Sequence, residues 1–180
     1  KLALYAPTYR DSRKTDMYNL DYNALLKSLK KRFGGTWAVL VRMHPNVSYL
    51  DYPLTYTKDI LNASPYENMQ ELLVASQIII SDYSGCAFDF PMIGKPGFLY
   101  AEDYEEMKRT KDYYFDLKDL PFTLALSSPE LMTQIESFDE DQYNQKCEDF
   151  RNMLNFYDTG HASQTVADLI ITHHFPQQTT

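Results

Sequence analysis

Hydrophobic positions arrive along this chain in two rhythms. One is a set of short, solid runs: "LALYAP" from Leu2, "TWAVLVRMHP" from Thr36, "QIIISD" from Gln77 and "KPGFLY" from Lys95. Runs of this length, rich in β-branched and aromatic residues and bounded by Pro, Gly or Asp, predict strands buried in a sheet. "KDILNAS" predicts a further short strand. The other rhythm is helical. Leu20, Ala24, Leu25 and Leu29 recur at helix spacing within Asn19 to Arg32, and Gly34-Gly35 stops that helix. Ser64 as cap and Pro65 at the first helical position predict a helix running to Ser76. A short helix is predicted from Ser84 to about Ile93. Helical periodicity then dominates 128 to 174, in three segments: Pro129 to Phe138, Glu140 to Phe156 and Ser163 to His174.

The resulting order is β-α-β-β-α-β-α-β, which predicts an α/β fold with a mostly parallel sheet and helices on both faces. The all-apolar run at Ile78–Ile80 belongs in its centre. One domain over residues 1–174 is expected, with 175–180 as a fraying tail. The chain opens at a lysine and enters a strand at once, as an excised part of a longer protein would.

Charge narrows the function. Acidic residues outnumber basic ones, 25 to 17, for a net charge of -8. A broad nucleic-acid surface needs clustered Lys and Arg and is excluded as a partner class. The basic residues that do cluster, Lys27, Lys30, Lys31 and Arg32, leave room for a local phosphate site. The two cysteines, Cys86 and Cys147, are far apart and in no metal-like spacing, which fits reduced, cytoplasmic chemistry. No apolar run approaches the ~18 residues of a membrane span.

In open parallel sheets ligands bind beyond the carboxyl ends of the strands. That rule selects "PTYRDSRK", "RMHP" and "SDYSG". A helix starting at Ser84-Gly85 points free N–H groups at a phosphate, Gly85 permits close approach, and the Ser84 hydroxyl can donate. The plainer alternative is that Asp82 or Ser84 simply caps the helix. Arg42 and His44, two apart, point to the same side of a strand end, where guanidinium and imidazole suit a pyrophosphate. Thr8, Arg10 and Asp11 share the first loop, where Arg10 could equally form an ion pair. Walker, GxSxG, HExxH and GxGxxG patterns are absent, which excludes P-loop enzymes, ordinary α/β-hydrolases and typical dinucleotide oxidoreductases.

Taken together, "YAPTYRD", "RMHP", "SDYSGCAFDFPMIGKPGFLYAEDYEE" and "DTGHAS" resemble, in order and spacing, the CDP-glycerol glycerophosphotransferase family of teichoic acid polymerases and primases, over roughly residues 2 to 172. The resemblance implies a GT-B module of two Rossmann-like domains, of which this chain is the C-terminal, donor-binding half. It implies that His44 touches the donor pyrophosphate and stabilises the leaving CMP. Ser84 and Gly85 would cradle phosphate, with Ser81, Asp82 and Tyr83 shaping the pocket and Arg42 assisting. Thr8 and Arg10 would line the cleft toward the N-terminal half. Asp89 matches an acidic family position, and Asp158 and Gly160 match an Asp-Gly near the nucleotide. Three departures stand out. Gly85 replaces a second serine, and Asp-Thr-Gly replaces Asp-Gly. Lys111-Asp112 replaces an Arg-Gly, with Arg109 nearby as a substitute cation.

The implied reaction is attack of an acceptor hydroxyl on the β-phosphorus of CDP-glycerol, with no cofactor and no metal. The implied partners are CDP-glycerol or another CDP-alcohol such as CDP-ribitol, a lipid-linked polymer acceptor, and the N-terminal half that carries the acceptor base. The implied location is the inner face of the cell membrane, peripherally. Without the second half the isolated chain is expected to lack turnover. Two other functions stay open: a UDP- or GDP-sugar site on the same fold, and a non-catalytic interaction domain.

Overall fold

A computed structural model describes residues 1–10, 18–47, 54–110, 113–156 and 160–174. Its centre is one six-stranded sheet: β1 (Leu2–Tyr5), β2 (Ala38–Val41), β3 (Ile60–Asn62), β4 (Ile78–Ser81), β5 (Gly97–Tyr100) and β6 (Thr123–Ala125). All neighbours pair in parallel, in the order β3-β2-β1-β4-β5-β6. This is the doubly wound Rossmann order, which reverses between β1 and β4. β6 escaped the pattern analysis because "TLA" is too short and mixed to stand out.

β4 lies at the middle, as the isoleucine run predicts. Successive strand residues face opposite sides of a sheet, and Ile78, Ile79 and Ile80 are each at most 1% exposed. Both faces of the sheet are therefore covered there. Leu4, Ala6, Leu72, Leu73, Ile79 and Phe90 form one core cluster. Elsewhere Phe98, Phe138 and Tyr143 pack ring against ring. In β5, Gly97 leaves space for the Phe122 ring, which would stand 2.7 Å from a Cβ at that position.

The helices follow their caps. α1 (Tyr22–Phe33) begins where the Asp21 carboxylate accepts from the Ala24 N–H, and ends at Gly34, whose φ of 64° suits only glycine without strain. Tyr22, Leu25 and Leu29 form its buried face, each large apolar side chain contributing roughly 1.5–3 kcal/mol. Lys30, Lys31 and Arg32 fill its last turn, where cations complement the carbonyl end of the dipole. α5 (Ser128–Glu136) packs against α1, fastened by Ser28 and Lys31 to Glu136. α6 (Glu140–Met153) and α7 (Ala162–His174) complete the chain.

Two expected helices are corrected. The one opened by Ser64 begins instead at α2 (Met69–Ala75), because Asn68 caps it by accepting from the N–H groups of Gln70 and Glu71. The Ser64 hydroxyl is taken by the Met43 N–H. The predicted Ser84 to Ile93 helix is two short pieces: a 3-10 turn at Gly85–Phe88, then α3 (Asp89–Met92). Pro91 has no N–H to donate and fits only the first turn of a helix, so the α-helical turn restarts beside it. One further helix, α4 (Tyr104–Thr110), follows β5. The chain divides into two compact units, 1–147 and 148–180. The tail 175–180 lies outside the described residues.

Candidate functional site

The reversal of strand order places the ends of β1 and β4 side by side, with the chain leaving to opposite sides. A crevice opens beyond such a pair. Here it is an open cavity of about 560 Å3. The loop after β1 supplies Ala6, Pro7 and Thr8, the loop after β2 supplies Arg42 through Pro45, and the loop after β4 supplies Tyr83 through Cys86. Met69 of α2 closes one side. The three loops selected by the strand-end rule thus meet in one place.

Within "SDYSG" the residues divide by task. Ser81 and Asp82 are fasteners. The Ser81 hydroxyl donates to the Ala6 carbonyl at 2.7 Å. Asp82 is 3% exposed. Its Oδ1 accepts from the Thr8 N–H at 2.9 Å, the Thr8 hydroxyl at 2.7 Å and the Tyr83 N–H at 2.6 Å. Its Oδ2 pairs with Arg10 Nη2 at 2.8 Å. Ser84 is the cap of the 3-10 turn, its hydroxyl oxygen accepting from the Cys86 N–H. Ser84 and Gly85 line the cavity. A Cβ added at Gly85 meets nothing within 4 Å, so the protein's own packing does not demand glycine there.

Arg10 is corrected from a cleft-facing cation to a buried one, 4% exposed. Its Nη1 donates to the Thr8 carbonyl at 2.6 Å, and its Nε and Nη2 form a fork on Asp103, at 2.6 and 3.1 Å. The Tyr83 ring covers the guanidinium at 4.8 Å, and the Tyr83 hydroxyl donates to Asp103 at 3.2 Å. Desolvation opposes the Arg10 charge, but the hydrogen bonds and charges of Asp103 and Asp82 outweigh it and hold the cation more firmly than in water. Burial, reinforced by the Asp103 charge, pushes the Tyr83 phenol well above its ordinary value.

His44 is exposed on the cavity wall, its ring tilted against Tyr9 at 5.5 Å. Its Nδ1 accepts from the Asn46 N–H at 3.2 Å. With Nδ1 taken as an acceptor, Nε2 is the ring nitrogen left to donate to an anion. Arg42 Nη1 donates to the Tyr66 carbonyl at 2.7 Å, which anchors the side chain beside the cavity. Cys86 also lines the wall; burial raises its thiol pKa, opposed by a hydrogen bond from Ser84. A second cavity of about 270 Å3 lies across the Tyr83 ring, which stacks on Tyr113 at 5.3 Å. Its walls are chiefly apolar, with Phe88, Phe115 and Phe122 among them.

The remaining candidates fall elsewhere. Asp89 is exposed at the first position of α3 and does not line the main cavity. Arg109 lies on α4 and donates to the Glu105 carbonyl of its own helix, away from the lining. Gly160, at φ 81°, belongs to the 148–180 unit. Asp11, Lys111, Asp112 and Asp158 lie outside the described residues. Sequence reasoning missed Asp103. It follows β5 directly, so the same strand-end rule, applied once more to "LYAED", would have found it.

A sequence profile of the CDP-glycerol:poly(glycerophosphate) glycerophosphotransferases matches residues 1–172. The teichoic acid poly(glycerol phosphate) polymerase of Staphylococcus epidermidis is 30% identical over 176 residues, which cover 94% of this chain and 24% of the relative. The teichoic acid poly(ribitol-phosphate) polymerase of Bacillus spizizenii is 29% identical over 187 residues, covering 99% and 28%. Among solved structures, the wall teichoic acid polymerase TagF superposes with a TM-score of 0.71 at 29% identity, over 96% of this chain and 43% of the other. A TagF variant soaked with CDPG superposes with a TM-score of 0.71 as well. The chain therefore spans less than half the length of each of these relatives.

Proposed function

The chain belongs to the CDP-glycerol:poly(glycerophosphate) glycerophosphotransferase family, and on that footing we propose that it is the donor-binding part of such a transferase. It holds CDP-glycerol in the cavity between β1 and β4 while glycerol phosphate passes to a lipid-linked teichoic acid or capsule acceptor. One observation carries this reading: His44, Arg42, Ser84 and Gly85, drawn from two loops 40 residues apart, line the same cavity at the reversal of strand order. The CDPG soak of a TagF variant supports a CDP-linked donor.

The chemistry follows from charge. The acceptor oxygen forms a bond to the β-phosphorus as the bond from that phosphorus to the bridging oxygen breaks. The electron pair of the broken bond stays on CMP, and the acceptor proton goes to a base outside this chain. Charge grows on the departing phosphate. His44 Nε2–H, the Arg42 guanidinium, the Ser84 hydroxyl and the backbone N–H at Gly85 are the groups placed to oppose it. Arg10 contributes indirectly, by holding the loops. A second Rossmann-like domain in a GT-B arrangement supplies the acceptor side and the base. The whole enzyme works peripherally at the inner face of the membrane. Among the described residues no helix is long and apolar enough to cross one.

Calorimetric titration of this chain with CDP-glycerol, CDP-ribitol, CMP and UDP-glucose tests the reading. Binding of the cytidine compounds, weakened by His44→Ala and by Ser84→Ala, supports it. Binding of UDP-glucose alone transfers the chain to the sugar transferases. A folded chain that ignores all four overturns the reading of a donor site complete within these residues.

A further inference from the structure

We propose that Asp103 is a positioning residue for the anion-binding turn, resting on the donor-site reading above. Of the groups lining the cavity it hydrogen-bonds Tyr83, and it joins the loop after β5 to the loops after β1 and β4, two of the three that line the cavity. Its carboxylate receives the Arg10 fork through both oxygens, at 2.6 and 3.1 Å, and the Tyr83 hydroxyl at 3.2 Å. Arg10 passes the constraint on to Asp82 at 2.8 Å and to the Thr8 carbonyl at 2.6 Å. Tyr83 passes it on through its backbone to Ser84 and Gly85. Asp103 therefore fixes the turn from both ends: the Asp82 end through Arg10, and the Ser84 end through Tyr83.

Electrostatics makes the proposal testable by sign. Arg10, Asp82 and Asp103 together carry one net negative charge beside a site meant for phosphate. If Asp103 acted on the ligand only through its charge, removing that charge would tighten anion binding. If it acts by position, the same change weakens binding. A bidentate fork replaced by a single acceptor lets the guanidinium swing, and a displacement of the order of 1 Å in a binding group is felt strongly. The two roles predict opposite directions from one substitution.

The substitution is Asp103→Asn, with Tyr83→Phe as the milder second variant that removes only the hydroxyl contact. The readouts are the dissociation constants for CMP and CDP-glycerol, taken well below each variant's unfolding midpoint, and the amide resonances of Tyr83, Ser84 and Gly85 without ligand. Positioning predicts that Asp103→Asn weakens both ligands by about tenfold or more. It also predicts moved turn resonances, and a smaller shift of the same sign in both readouts for Tyr83→Phe. Unchanged or tighter binding with unmoved turn resonances overturns the proposal. A wild-type chain silent to both ligands overturns the donor reading instead. In that case the ligand-free resonances still decide whether Asp103 sets the turn.

Discussion

The Asp82 carboxylate receives Thr8 twice, from its backbone N–H at 2.9 Å and from its hydroxyl at 2.7 Å. With Arg10 on the other oxygen, this carboxylate ties the end of β4 to the loop after β1 at a depth where it is 3% exposed. Removing it leaves the Arg10 cation with half its counter-charge. Asp82→Ala is expected to cost about 3–5 kcal/mol, as breaking a buried ion pair does. Thr8→Val, which keeps the backbone donor, should cost about 1 kcal/mol. Urea unfolding of both variants measures this, and equal costs would mean that the charge pair contributes nothing special.

Gly85 separates folding from binding. Its added Cβ meets nothing, and its φ is not in the region that favours glycine. Gly85→Ala should leave stability unchanged or raise it by up to about 1 kcal/mol, through the unfolded chain. Binding of CDP-glycerol should stay within a few-fold, because the family pattern carries a serine, Cβ included, at this position. A large loss of affinity in a stable variant would mean that here the phosphate sits closer to the backbone than a Cβ allows.

Gly97 is the opposite case. A Cβ there would stand 2.7 Å from one carbon of the Phe122 ring and 2.9 Å from the next. Phe122 is 4% exposed and packed, so the ring cannot simply retreat. Gly97→Ala should destabilise by about 1–3 kcal/mol, read from the midpoint of thermal or urea unfolding.

Stability should fall in alkali. Burial holds the Tyr83 and Tyr143 phenols well above their ordinary value, helped by Asp103 and by Cys147 respectively. Unfolded, both ionise near pH ~10. Above that pH the unfolded chain binds fewer protons than the folded one, so unfolding becomes easier as pH rises. The slope is up to about 1.4 kcal/mol per pH unit for each phenol. Below pH ~10 this contribution is fully present. Denaturation at pH 9, 10 and 11 should show the decline, and Tyr143→Phe should flatten it. Parallel curves for the two proteins would remove Tyr143 as a cause.

Much of this was legible in the residues. Four solid apolar runs and the shorter "KDILNAS" announced five strands, and the rule about strand ends chose the three loops that do meet. Side-chain assignments within those loops were less legible, because sequence gives adjacency along the chain and not who faces whom. Asp82 and Ser84 both looked able to cap a helix. Only the fold shows that Asp82 faces back toward Thr8 and Arg10, while Ser84 caps the turn. Arg10 looked like a surface or cleft cation, since nothing local reveals an acidic partner 93 positions away. Asn68 displaced Ser64 as a cap because the Ser64 hydroxyl had a distant partner in Met43, again a contact no local pattern encodes.

Apart from the local bond from Arg10 to the Thr8 carbonyl, the bonds that bind Thr8, Arg10, Asp82 and Asp103 together join residues 72 to 93 positions apart in the chain. Contacts of such separation form only after large loops have closed, which is slow and late in folding. The site therefore needs those loops closed, and it exists only once β1, β4 and β5 have all found their places. A ligand that recognises it recognises the completed sheet and no partial one. By mass action such a ligand stabilises the whole unit, in proportion to the logarithm of its concentration over its dissociation constant. Binding of such a ligand can thus serve as a folding assay, reporting the fraction of chains that have finished.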